Sequence, residues 1–192
     1  MGKTALMLMD FQNGIVGRVA NEGQLLERVQ KVKAAAKRAG MPIIYVVVKF
    51  RSGYPEISSN NKMFSGLASS GMPFQDGESA TEVHPSLAME AGDILVTKRR
   101  VGAFSGSDLD TVLRGQNVDK WVLTGIATSG VVLSTLRVAA DMDFGITVIA
   151  DCCADADEEV HRVLTEKVFP RQADVVTAEA WLSANAQLVG KH

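Results

Sequence analysis

Lys120-Trp-Val-Leu-Thr-Gly-Ile-Ala-Thr-Ser-Gly-Val-Val-Leu-Ser134 decides how the rest of the chain is read. Trp121 to Leu123 is a short apolar run, which reads as a buried strand ending at Thr124-Gly125. Thr128 or Ser129 stands where a helix N-cap belongs, and Val132, Leu136 and Ala139 recur at helical spacing. A strand, a tight turn and a helix start form the junction at which parallel α/β sheets bind ligands. Free backbone N–H groups and the positive end of the helix dipole point into a crevice there.

The same alternation extends in both directions. Thr4 to Met9 is an apolar run that ends in Asp10-Phe-Gln-Asn13, a strand with a polar C-terminal end. Asn21-Glu-Gly-Gln24 resembles a capping box, and Leu25, Val29, Val32 and Ala36 form one helix face. Arg28, Lys31, Lys33 and Lys37 fall on the other faces, and Gly40 stops the helix. Pro42 opens a second strand, Ile43 to Val48. Asp93 to Thr97 is a third, ending at Lys98-Arg-Arg100, and Ser107-Asp-Leu-Asp110 starts the next helix. Gly145 to Ala150 is a fifth strand ending at Asp151. A helix from Glu158 stops before Pro170, Asp174 to Thr177 is a sixth strand, and a final helix begins at Ala178. Six strands alternating with helices predict a parallel sheet covered on both faces. Residues from about 50 to 85 break the pattern with turn signals, the mark of a lid, a subunit contact or an irregular excursion.

The chain has 192 residues, which fits a single domain over 1–192 with a sizeable core. A net charge of −2 gives no reason to expect nucleic acid or an anionic membrane as partner. No apolar stretch is long enough to span a bilayer, and the N-terminal run meets Asp10 too soon for a secretory signal. The two cysteines, Cys152 and Cys153, are adjacent, which rules out a disulfide framework. A cytoplasmic location is therefore expected.

Several residues carry possible chemistry, each with a structural alternative. Asp10 and Lys98 end strands where α/β folds expose reactive groups, but either also fits an ordinary strand-end charge. Together, an acid and a cation can manage proton transfer and a developing negative charge. The Gly125–Gly130 turn offers backbone donors to an anion or is a plain turn. Arg99 and Arg100 can hold a carboxylate or remain solvated. Phe11, Phe104 and Trp121 fit a pocket wall or the core. Cys152 and Cys153 read as buried strand-end cysteines. Ser129 and Ser134 have no histidine in a recognisable relation to them. His84, His161 and His192 lie far apart and form no ligand pair on a helix, so no metal and no cofactor are expected.

Asp10-Phe-Gln-Asn13, Lys98-Arg-Arg-Val-Gly-Ala-Phe104 with Ser107-Asp-Leu-Asp110, Thr124-Gly-Ile-Ala-Thr128 and Val148-Ile-Ala-Asp151 belong together. In order and spacing they resemble the isochorismatase-like hydrolase superfamily, which includes isochorismatases, nicotinamidases and N-carbamoyl amidohydrolases. The resemblance covers nearly the whole chain. It implies a three-layer α/β/α, Rossmann-like fold with six parallel strands, assembled as a homo-oligomer (dimer or tetramer). It implies Asp10 and Lys98 as catalytic residues and a cis peptide at Ile126–Ala127. Substrate contacts are expected from Phe11, Gln12, Arg99, Phe104, Ala127, Thr128 and Ser129.

One position departs from the family pattern. Cysteine-hydrolase members place their nucleophile three residues after the threonine of the Gly-Ile-Ala-Thr motif, and that position here is Val131. Valine has no nucleophilic atom, so no thioester intermediate is expected at it. The stretch Lys49 to Asn61 has no histidine, which argues against a nicotinamidase. Isochorismatases also do without the cysteine, hydrolysing a vinyl ether with the aspartate as acid. A nearby Lys98 favours an ionised Asp10, so that role requires burial or substrate to oppose it. The leading expectation is a hydrolase of a small, carboxylate-bearing metabolite. The alternatives are a catalytically silent binding or scaffold protein, and a hydrolase with Ser129 as nucleophile.

Overall fold

The computed structural model describes residues 2–186. Its strands are β1 (Lys3–Met9), β2 (Ile43–Val48), β3 (Ile94–Lys98), β4 (Val118–Ile126), β5 (Gly145–Ala154) and β6 (Asp174–Val176). They form one sheet in the order β3-β2-β1-β4-β5-β6, and every pair is parallel. The chain winds outward from β1 through β2 to β3, then crosses back to place β4 on the other side of β1. The order reverses between β1 and β4, so a crevice opens at their C-terminal ends.

Helices α1 (Asn13–Val16), α2 (Glu22–Arg38), α3 (Lys62–Ser69), α4 (Leu109–Gln116), α5 (Leu133–Asp141), α6 (Glu158–Val163) and α7 (Ala178–Asn185) complete the chain. Side chains alternate across a strand, so the sheet feeds two cores. Met7, Met9, Val46, Val96 and Leu123 pack towards Leu109 and Leu113 of α4 and Leu136 of α5. Leu6, Leu8, Tyr45, Val122 and Ile149 pack towards Val29 and Val32 of α2 and Trp181 of α7. Val29 and Val32 are fully buried, and each such side chain contributes about 1.5–3 kcal/mol. β2 is buried at every position, as a continuous apolar run demands in a sheet covered on both faces.

The 50–85 excursion builds a third cluster of its own. Phe50, Phe64 and Phe74 pack with Val48, and the Phe50 and Phe64 rings meet edge-on at 5.2 Å. The segment carries α3 and two short 3₁₀ turns, Ser79–Thr81 and Pro85–Leu87. It is thereby anchored against the C-terminal ends of β1 and β2.

Several local expectations are corrected. Asn21 precedes α2 in a left-handed conformation and makes no side-chain cap, so there is no capping box. Lys33 is buried, because its ammonium reaches Glu90 at 2.8 Å and the Ala88 carbonyl at 2.6 Å. β4 continues past Thr124-Gly125 to Ile126. Neither Thr128 nor Ser129 caps the following helix. Residues Thr128–Val132 instead form a wide π turn that runs into α5, with the Val132 N–H donating to the Ala127 carbonyl at 3.3 Å. β5 continues past Asp151, so Cys152 and Cys153 lie inside a strand and are buried. Asp151 caps α7 by accepting from the Ala178 N–H at 2.7 Å. His192 lies outside the described residues.

Candidate active site

The crevice holds a cavity of about 260 Å³ whose lining includes Asp10, Lys98, Ala127 and Val131. Asp10 follows β1 with φ of 60°, a left-handed backbone conformation that costs free energy for a non-glycine residue. Lys98 ends β3, two strands away, at a separation of about 9.5 Å between strand axes. Its long stem crosses the end of β2 and brings Nζ to 2.9 Å from Asp10 Oδ2. Nζ also donates to the Arg100 carbonyl at 3.1 Å. Both side chains are almost wholly buried, at 2% and 7% exposed. Asp10 Oδ1 is buried and has no hydrogen-bond partner among the described residues.

Burial pushes the Asp10 carboxyl above the ordinary carboxylate range, and the Lys98 ammonium pulls it back without cancelling the effect. The carboxyl therefore holds a proton more readily than an exposed aspartate, and one oxygen is free to deliver it. A protonated acid beside a cation can protonate a substrate. Once ionised, the same acid can take a proton from water.

The β4–α5 turn forms another wall. The Ile126–Ala127 peptide bond is cis. Gly125 lets β4 close onto β1, since a Cβ there would lie 2.8 Å from the Met9 carbonyl oxygen. Three of the turn's donors are already engaged. The Ser129 N–H donates to Asp155 Oδ2 at 2.7 Å, and the N–H groups of Gly130 and Val132 both reach the Ala127 carbonyl. An internal carboxylate thus occupies the helix start that the sequence suggested for a bound anion. Thr128 is buried with its hydroxyl 2.7 Å from His161 Nδ1, and burial lowers the His161 pKa.

Of the residues expected to contact substrate, Ala127 lines the cavity and the others have different placements. Phe11 is buried in the core beneath α2. Gln12 is fully buried and joins β2 to the excursion: its amide donates to the Val48 and Thr81 carbonyls at 2.9 and 2.8 Å, and its carbonyl accepts from the Val48 N–H at 2.8 Å. Arg99 pairs with Glu56 at 3.2 Å and Asp76 at 3.3 Å and donates to the Lys49 carbonyl, so its guanidinium clamps the excursion. Arg100 donates to the Glu56 carbonyl at 2.9 Å. Phe104 stacks on Trp121 at 5.3 Å beside the core. The Thr128 hydroxyl is committed to His161 and the Ser129 backbone N–H to Asp155; the Ser129 side chain is exposed, and neither residue lines the cavity.

Residues not singled out from sequence make up much of the wall. Phe50, Phe64, Leu67 and Phe74 come from the excursion, and Arg18 comes from the segment after α1. The Arg18 guanidinium lies 5.4 Å above the Phe74 ring centroid. A polar strand end followed by an irregular segment rich in phenylalanine was the only available signal. Among the described residues no cluster of His, Cys, Asp and Glu is suited to a metal ion.

A doubly wound parallel sheet with a buried acid–lysine pair at its switch point defines a small α/β class, and comparison with known proteins identifies which one. The isochorismatase domain model matches residues 4–180, and the chain belongs to that family. It is 33% identical over 180 residues to the isochorismatase family protein YwoC of Bacillus subtilis, covering 94% of this chain and 93% of that one. It is 30% identical over 207 residues to the ureidoacrylate amidohydrolase RutB of Pseudomonas syringae pv. syringae, covering 95% of this chain and 81% of that protein. The crystal structure of a cysteine hydrolase from Pseudomonas syringae pv. phaseolicola shares the fold, with a TM-score of 0.88 at 21% identity, over 97% of this chain and 93% of that one.

Proposed function

We propose that the chain is an isochorismatase-like hydrolase of a small carboxylate-bearing metabolite, working through Asp10 and Lys98 without a covalent cysteine intermediate. The observation that carries this reading is the Asp10 carboxyl. It lies in the cavity, is held at 2.9 Å by Lys98 through one oxygen, and at the other has no partner among the described residues. Val131 lines the same cavity at the position that resembles the nucleophile's, and it has no nucleophilic atom.

In a vinyl ether, Asp10 would give its proton to the terminal alkene carbon. Water would add to the resulting oxocarbenium carbon, and the hemiketal would break to a ketone and an alcohol. The proton released from water would return to Asp10. Lys98 favours the ionised state of Asp10 that follows donation, so the pair suits a site that must lose and regain a proton in each cycle. In an amide or ureide, as the name of the amidohydrolase relative suggests, ionised Asp10 would activate water and Lys98 would stabilise the developing negative charge.

A second reading, a catalytically silent binding or scaffold protein, is favoured by Val131 itself. Turnover across vinyl ethers, amides and ureides separates the two. A substrate whose turnover disappears in Asp10→Asn, with the fold intact, supports the hydrolase. Turnover unchanged by Asp10→Asn removes Asp10 from the mechanism, and no turnover of any class favours the silent protein.

A further inference from the structure

The walls of the cavity specify more than its floor does. Among the lining side chains only Asp10, Lys98 and Arg18 are polar; no hydroxyl, amide or imidazole side chain lines it. Asp10 and Lys98 engage each other at the buried end, 2.9 Å apart. Arg18 is exposed and lies over Phe74, and among the described residues it pairs with no carboxylate; its guanidinium donates to the Met72 sulfur at 3.7 Å. The cavity is therefore an apolar barrel with the Asp10–Lys98 pair at its floor and, among the described residues, one cation without a carboxylate partner at its mouth.

Such a site discriminates by desolvation. An amide or ureide group placed among Phe50, Phe64, Leu67, Phe74 and Val101 loses its water and meets no side-chain partner. An aryl or branched-alkyl group in the same place gains by leaving water and meets aromatic edges and faces. A carboxylate at the mouth meets a planar guanidinium already oriented by the ring beneath it.

We propose that the site selects an amphipathic anion: an aryl or branched-alkyl body held by the excursion's phenylalanines, with a carboxylate on Arg18 at the mouth. This rests on the reading of the cavity as the active site and narrows its substrate class. The body reaches in towards Asp10, which places the bond to be cleaved at the end of the molecule remote from the carboxylate.

Calorimetric binding tests this without turnover. The probes are hydrocinnamate, its uncharged amide hydrocinnamamide, and β-ureidopropionate, an acid with a polar body. Hydrocinnamate is expected to bind at least about tenfold tighter than β-ureidopropionate. Arg18→Gln, at an exposed position, should weaken hydrocinnamate about tenfold and leave hydrocinnamamide unchanged. Leu67→Asn, at a half-buried wall position, should weaken hydrocinnamate and hydrocinnamamide alike. Equal or tighter binding of β-ureidopropionate overturns the proposal, as does no binding of hydrocinnamate, or an Arg18→Gln loss that is the same for acid and amide. Aryl-acid binding with no turnover of any substrate leaves this inference standing and sinks the hydrolytic reading. Asp10-dependent turnover confined to polar ureides does the reverse.

Discussion

Replacing Lys98 by methionine removes the ammonium 2.9 Å from Asp10 Oδ2 while keeping most of the stem's volume. Breaking a buried ion pair by deleting one partner costs on the order of 3–5 kcal/mol, because the remaining charge is stranded. Asp10 has an escape, which is to take up a proton. Its pKa is already raised by burial, and Lys98 is the group that opposes the rise. Without Lys98 the folded-state pKa climbs further. A group whose folded pKa exceeds its unfolded value contributes stability that is complete below the unfolded pKa and lost as pH rises through the folded pKa. The loss approaches about 1.36 kcal/mol per pH unit between those two values. Lys98→Met should therefore cost little near about pH 4, roughly 1 kcal/mol for altered packing and the lost bond to the Arg100 carbonyl. The cost should widen to about 3 kcal/mol or more by about pH 8. Urea denaturation across that range, on protein with native circular dichroism, measures it. Adding Asp10→Asn should recover much of the loss at high pH, since no buried charge remains. A penalty that does not change with pH, or one below about 1 kcal/mol at the alkaline end, would refute the coupling of this pair.

Three further substitutions probe the supports of the site. Gln12→Leu strands three buried backbone groups at Val48 and Thr81, so it should cost about 3 kcal/mol and lower Tm by roughly 6 °C or more; an unchanged melt by calorimetry would contradict this. Gly125→Ala places a Cβ 2.8 Å from the Met9 carbonyl oxygen, on backbone that cannot swing away, and should cost about 1–3 kcal/mol in urea. An unshifted urea midpoint would mean that β1 and β4 yield there. Val131→Cys puts a thiol in the cavity, and brief treatment with iodoacetamide should add one label to the native variant. The natural cysteines should resist, because both are buried and burial pushes Cys153 up to about 12 and Cys152 higher still. Mass spectrometry reads the outcome, and equal labelling of the unsubstituted protein would falsify the expected difference.

The sheet was legible because its strands are short apolar runs separated by helical patterns, and β2, Ile43–Val48, occurs where its run predicts. Asp10 and Lys98 were legible as strand-end charges. Their meeting was not, since it depends on Lys98 reaching across β2 from a strand two places away. Neighbours along an extended chain point to opposite sides, so a pocket residue and a structural one can stand next to each other. Lys98 and Arg99 illustrate this: one lines the cavity and the next clamps Glu56 and Asp76. Asp10 and Phe11 also divide between cavity and core, there because the left-handed Asp10 turns the chain after β1. Phe50, Phe64 and Phe74 were invisible as a unit because the excursion has no periodicity to group them. The Thr128–His161 and Ser129–Asp155 contacts join β4's turn to residues beyond β5, and nothing local in either segment announces the pairing.

The proposed chemistry stands on a single carboxyl group. The decisive measurement is steady-state turnover by Asp10→Asn beside the parent protein, on whichever vinyl ether, amide or ureide the parent cleaves. Circular dichroism and hydrocinnamate binding establish that fold and cavity are retained. The expected result is a loss of kcat of about a hundredfold or more, the usual contribution of a positioned acid–base group, with binding preserved. Turnover at the parent's rate in the folded, ligand-binding variant would contradict the role assigned to Asp10.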